Sequence, residues 1–170
     1  MKVQVIFAHG SYGEFGNGSR LPWKHCKEDM QFFKSVTVNG VCVMGRATWD
    51  SLPSKLEDRV NVVLSNEPVD ADHVMTGDLK DVVETLKEMY PDKTISIIGG
   101  LSLIEKSIDF ADVIYKSTLN TNKALDATHF VENKLIEKIK KNYVNATNVN
   151  LKVAHVDIES IDLDMFVRSK

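Results

Sequence analysis

The chain is poor in the features that mark special classes of protein. In 170 residues it has two cysteines, Cys26 and Cys42, with neither metal-ligand spacing nor the density of a disulfide scaffold. They are most simply free thiols in a reducing cytoplasm, which is the expected compartment. The five histidines are scattered, so no metal is expected. No apolar stretch approaches membrane-spanning length, and Met1-Lys2-Val3-Gln4-Val5 reads as a strand rather than a signal peptide. A surplus of one charge is missing too. Net charge is −3, there is no long basic run, and Lys138-Ile139-Lys140-Lys141 reads as solvated helix surface. Nucleic acid is thereby disfavoured as a main partner.

What is present is ordinary for a globular enzyme or binding domain. Apolar residues make up 43% and charged residues 26%, which argues against disorder and against a fibre. The length suits one domain, residues 1–170, with a substantial core. No repeat, low-complexity segment or linker divides it.

Strand-like and helix-like segments alternate for two-thirds of the chain. Val3 to His9 reads as a first strand, followed by a glycine-rich loop over Gly10 to Gly18. Lys27 to Thr37 reads as a helix. Val41-Cys42-Val43-Met44 and Val60 to Leu64 are short apolar runs, as expected of strands buried on both faces. Arg46 to Leu52 reads as a short helix stopped by Pro53. Leu79 to Met89 repeats Leu79, Val82, Val83, Leu86 and Met89 at helical spacing. Thr94 to Ile98 reads as a strand running into Gly99-Gly100 and a helix from Leu101 to Ser107, and Val113 to Leu119 as a further strand. Val149 to Glu159 and Ile161 to Arg168 alternate apolar and polar residues, which predicts antiparallel strands joined near Ser160. The fold class is α/β: a mainly parallel sheet flanked by helices, with a C-terminal antiparallel pair.

Two strand-to-helix junctions suit a phosphate. Ile98-Gly99-Gly100 lets backbone approach a ligand where no side chain fits, and Gly45-Arg46-Ala47-Thr48 adds a guanidinium and a hydroxyl. A tight turn and a surface charge explain the same residues more plainly. Gly13, Gly16 and Gly18 do not form the dinucleotide-binding fingerprint and read as a mobile loop. Asp29 is the sharpest single feature. It shares a helix face with Met30, Phe33 and Val36, where an ionised carboxylate is costly unless paired or opening onto a pocket. The alternative is an ordinary acidic residue in a helix first turn.

Taken together, Gly16 to Trp23, Asp29 with Phe32-Phe33-Lys34, Val43-Met44-Gly45-Arg46-Ala47-Thr48-Trp49, Arg59, Val62-Val63-Leu64-Ser65, Ile98-Gly99-Gly100 and Thr128-His129-Phe130 resemble dihydrofolate reductases across nearly the whole chain. The resemblance implies NADPH-dependent reduction of 7,8-dihydrofolate to tetrahydrofolate by a monomeric enzyme that also binds antifolates. It implies Asp29 as the pterin-binding carboxylate, with Glu28 as a lesser alternative, Ser117 supporting it, and Trp23 and Leu21 beside a water that protonates the pterin. Phe33, Leu52, Met30, Leu56, Ala8 and Ile98 would line the substrate, and Arg59 would bind its glutamate carboxylate. Gly16, Gly45, Arg46, Thr48, Ser65, Gly99, Gly100, Ser102 and Leu103 would contact the cofactor, with Thr128 a weaker candidate. Trp49 is expected to pack only. Two departures stand out: Ile104 where the family often has tyrosine, and Ala47 where it is often basic. A pyrimidine reductase of riboflavin synthesis would share fold and cofactor without the Leu-Pro-Trp turn, the acid and Arg59 together. A reductase-like domain kept for binding is the non-enzymatic alternative.

Overall fold

The computed structural model describes residues 2–18 and 20–169. It has the expected mainly parallel sheet with antiparallel strands at its C-terminal end. Close backbone contacts divide the chain into two compact units: residues 1–6 with 35–112, and residues 7–34 with 113–170.

The first unit holds the N-terminal half of β1 (Val3–Gly10), then β3 (Val41–Gly45), β4 (Val60–Leu64), β5 (His73–Met75) and β6 (Ile95–Gly99). Their order is β5-β4-β3-β6-β1, and every pairing in it is parallel. Val41, Cys42, Val43, Met44, Val62, Val63, Ile95 and Ile97 are fully buried, which is why these strands read as unbroken apolar runs. Helix α3 (Leu79–Met89) buries Leu79, Val82, Val83 and Leu86 at helical spacing. The short helices α2 (Arg46–Ser51) and α4 (Leu101–Ser107) follow β3 and β6 directly.

The second unit holds the rest of β1, most of α1 (Lys27–Thr37), the antiparallel pair β2 (Glu14–Gly16) and β8 (His129–Phe130), and α5 (Asn133–Asn142). It also holds β7 (Val113–Thr121), β9 (Tyr143–Lys152) and β10 (Ile158–Arg168), in the order β1-β7-β10-β9. β10 is antiparallel to both of its neighbours.

The chain reversal between the last two strands is not near Ser160. Ser160 lies inside β10, opposite Asn120 on one side and Lys152 on the other, and the turn falls over residues 153–157. Val149, Leu151 and Val153 alternate, but Val156 and Ile158 stand one residue out of that phase, so the pattern breaks after Val153, where the turn begins. The strands β2, β5 and β8 are two or three residues long, too short to show a period.

Candidate functional site

In the second unit α1 leaves much of its expected apolar face open. Phe33 and Val36 are half-buried, Met30 is 44% exposed, and only Thr37 is fully enclosed. Asp29 is half-buried on this face. Among the described residues none donates a hydrogen bond to its carboxylate, and desolvation alone pushes its pKa up to about 6. Glu28 next to it takes the Cys26 thiol at 4.0 Å. A partly buried acid with a raised pKa, to which no described residue donates, is a candidate for a functional site.

Trp23 is enclosed in a cluster with Cys26, Leu119, Ile158 and Ile161, on which Ala8 also packs. Ser117, two residues before Leu119 on β7, is buried and shares that side of the strand. Among the described residues no direct hydrogen bond joins Ser117 to Asp29. Leu21, just before the Pro22-Trp23 turn, is 53% exposed.

The glycine-rich segment is more tied down than its composition suggests. Glu14 is buried; Oε1 accepts from the Tyr12 N–H at 2.7 Å and Oε2 from the Leu125 N–H at 2.8 Å. The Val131 N–H donates to the Gly13 carbonyl at 2.7 Å, and a Cβ at Gly13, where φ is +85°, would lie 2.7 Å from the Val131 carbonyl oxygen. Only glycine fits there. Gly16 accepts from the Thr128 N–H at 2.8 Å, and the Thr128 hydroxyl accepts from the Gly18 N–H at 2.7 Å. Thr128 thus serves this loop. Glu14 gave no signal in the sequence, because a lone acid among glycines reads as solvated until its amide donors are known.

In the first unit the two strand-to-helix junctions adjoin. A Cβ at Gly45 would stand 3.9 Å from both the Gly100 nitrogen and Leu103 Cδ1, and one at Gly99 would press to 3.2 Å from Thr48 Oγ1. Gly99 has φ +140° and a cis peptide bond to Gly100. Neither α2 nor α4 has a side-chain cap at its start. Arg46 Nε reaches both Asp50 oxygens at 3.1 Å, and Nη1 lies 3.6 Å from Glu67. The Ser65 hydroxyl accepts from the Glu67 N–H at 3.1 Å. Ser102 is exposed, whereas Ile104 is fully buried in α4, so its side chain serves the core.

Leu52, Leu56, Ile98 and Trp49 pack on the buried cluster of Cys42, Met44 and Val63. Arg59 follows Asp58, whose φ is +61°, and is held by the Glu57 carbonyl at 2.9 Å and the Thr37 hydroxyl at 3.1 Å. Asn61, fully buried on β4, bonds to the backbone of Leu56 and Arg59. Thr37 thus holds the Arg59 guanidinium and Asn61 the segment from Leu56 to Arg59, contacts that the sequence does not announce. The nearest signal is an Asn in an apolar strand run.

Comparison with known proteins identifies the family and the fold. A family model described as dihydrofolate reductase matches residues 2–158. The chain is 31% identical to dihydrofolate reductase type A10 of Escherichia coli, over 99% of this chain and 93% of that one. It is 37% identical to a dihydrofolate reductase of Mycobacterium tuberculosis over 64% of this chain and 66% of that one. Its fold matches a dihydrofolate reductase from Enterococcus faecalis, solved in complex with NADP(H) and RAB-propyl, at a TM-score of 0.83 and 23% identity, covering 99% and 97% of the two chains.

Proposed function

The chain belongs to the dihydrofolate reductase family, and from that membership we propose that it reduces 7,8-dihydrofolate to 5,6,7,8-tetrahydrofolate with NADPH. The observation that carries this reading is Asp29, an unpartnered carboxylate on the open face of α1 with its pKa at about 6. A pterin offers what that group lacks: a ring amino group and a ring N–H side by side, which a carboxylate accepts in two parallel bonds.

NADPH, when bound, supplies the hydride that reduces pterin C6. The first unit has residues that fit such a cofactor. Gly99 approaches Thr48 so closely that a Cβ would crowd it, which leaves backbone where a pyrophosphate needs it. Arg46 and Ser65 suit the additional phosphate of the adenosine ribose, with Gly45, Gly100, Ser102 and Leu103 along the chain of contacts. Gly16 is assigned to the cofactor from its place in the loop.

The protein's own work is binding, orientation and proton management. Asp29 orients the pterin and makes its ring more basic. A water admitted beside the exposed Leu21 and held near Trp23 delivers the proton to N5, and Ser117 supports the acid. Phe33, Met30, Leu52, Leu56, Ala8 and Ile98 provide apolar and backbone surface for the rings. Arg59, with Thr37 and the Glu57 carbonyl holding its guanidinium, takes the glutamate carboxylate. The segment around Glu14 closes over the reacting groups and excludes water. We assign residues 1–170 to one reductase domain, acting as a cytoplasmic monomer. Among the described residues no helix is long and apolar enough to cross a membrane.

The test is to mix protein, NADPH and dihydrofolate and follow loss of NADPH absorbance with and without methotrexate. Methotrexate-sensitive oxidation is expected, and Asp29→Asn should remove most of it at neutral pH while the fold survives. NADPH binding without oxidation would overturn the substrate assignment.

A further inference from the structure

A cavity of about 370 Å³ lies within the second unit, lined by Lys116, Ile136, Lys140, Tyr143, Asp164 and Phe166, with Asn145 beside them. None of these residues has a part in the reaction described above. Successive strand residues point to opposite faces, so Lys116 faces away from its neighbour Ser117, and His9 away from Ala8.

The cavity holds a positive charge that the protein only partly neutralises. Lys116 is largely enclosed, with 12% of its side chain exposed, and Asp164 stands opposite it in the β7–β10 ladder. The ion pair between them is long, 3.9 Å, and Asp164 Oδ1 is occupied by the Asn145 and Asn148 amides at 3.0 and 2.7 Å. Lys116 Nζ donates instead to the Thr118 hydroxyl at 2.9 Å and to His9 Nε2 at 3.3 Å. His9 is fixed as a neutral acceptor there, because its Nδ1–H donates to the Gly10 carbonyl at 2.7 Å. Burial and the Lys116 charge both resist its protonation.

Lys140 is close enough to act on Lys116 as a like charge, and burial and Lys140 outweigh the help from Asp164 in lowering the Lys116 pKa. Behind them the Arg168 guanidinium donates to the Tyr143 hydroxyl at 2.9 Å and lies 5.0 Å from its ring centre. Two ammonium groups line the cavity against one carboxylate, Asp164, whose Oδ1 is held by amides and whose Oδ2 faces Lys116. The lining is therefore net positive, even though Asp162 outside it also attracts the Lys116 charge. The remaining wall is apolar: Ile136, the Tyr143 ring and Phe166. Positive charge above a flat apolar wall matches one kind of ligand, an organic anion with a planar body.

We propose that this cavity binds a small aromatic carboxylate, its anionic group between Lys116 and Lys140 and its ring against Tyr143 and Phe166. Because Lys116 and His9 are one peptide step from Ser117 and Ala8, occupancy is placed to be felt at the substrate-binding side of β1 and β7.

The test is an NMR titration of the isotope-labelled protein with sodium benzoate, with benzyl alcohol as the uncharged control. Saturable shifts are expected at the amides of Lys116, Lys140, Tyr143 and Asn145, together with a rise in the Lys116 pKa read from its side-chain carbon. Lys140→Met should weaken benzoate about tenfold or more, the size expected for losing a charge-assisted contact. Lys140 is exposed, so this variant leaves the fold intact, whereas Lys116→Met also removes the partner of His9. Failure to saturate, equal binding of benzyl alcohol, an unchanged affinity in Lys140→Met, or shifts confined to the surroundings of Arg46 and Arg59 would each overturn the proposal.

Discussion

The Asn61 side chain satisfies both backbone groups of Leu56: Oδ1 accepts from the Leu56 N–H at 3.0 Å, and Nδ2 donates to its carbonyl at 2.9 Å. The same Nδ2 donates to the Arg59 carbonyl at 3.0 Å, and the Asn61 N–H is anchored on Asp72 at 2.7 Å. One buried amide thus fixes the segment that carries two of the proposed folate contacts. Asn61→Asp keeps the acceptor and loses both donated bonds, burying a carboxylate beside carbonyl oxygens. It should lower stability by about 2–4 kcal/mol and raise the KM for dihydrofolate much more than that for NADPH. Chemical denaturation and steady-state kinetics measure the two effects. Equal rises in both KM values would show that Asn61 supports the fold without positioning the substrate segment.

Asp29 sets stability against function. Its native pKa, about 6, lies above the value near 4 of an unfolded aspartate. Between those values the native state binds a proton that the unfolded state does not, so stability rises as pH falls from about 7 towards 4. At pH 8 the ionised side chain costs the fold about 3 kcal/mol, roughly two pKa units at about 1.36 kcal/mol each. The neutral amide introduced by Asp29→Asn carries no such penalty. The variant should therefore unfold at higher urea than the parent at pH 8 and close to it at pH 4, while turning over poorly. A parent stability that does not change between pH 5 and 8 would contradict the desolvated carboxylate.

Arg46 is shared between Asp50 and Glu67, both exposed. Exposed pairs of this kind contribute about 0–1 kcal/mol, so a phosphate dianion displaces them at little cost. Arg46→Ala should raise the KM for NADPH about tenfold or more and leave that for NADH nearly unchanged. Glu67→Gln should tighten NADPH a few-fold by releasing the guanidinium. If both cofactors weaken equally in Arg46→Ala, the guanidinium does not read the extra phosphate.

Glu14 joins two separated stretches of loop through the Tyr12 and Leu125 amides. A glutamine at this position presents an N–H to one of those donors and so loses a bond. Glu14→Gln should slow turnover several-fold with a smaller effect on NADPH affinity, and hydrogen exchange at the amides of residues 12 and 125 should quicken. Unaltered exchange at Leu125 would remove Glu14 from control of the loop.

How legible the protein was depends on the range of the interactions involved. Strands β3, β4 and β6 and helix α3 declare themselves in local runs and periods, because burying a face requires apolar residues at fixed spacing. The Asp29 carboxylate could be singled out because charge on an apolar helix face breaks the same rule. Ile104 shows the limit: the family resemblance drew attention to it as a departure from tyrosine, and only the fold shows that its side chain is fully buried.

By itself, then, the sequence determined the α/β class, the order of the main elements, the glycines that open the two strand-to-helix junctions, and the acid that stands out on α1. The tertiary structure decided the rest. It placed the last turn at residues 153–157, set Glu14 against the amides of Tyr12 and Leu125, brought Thr37 to Arg59, and enclosed Asn61 beside Leu56. A buried polar group is stable only beside its donors and acceptors, and several of these partners lie far away in the chain. No local pattern records such pairings, because hydrogen bonding depends on which groups the fold brings within reach.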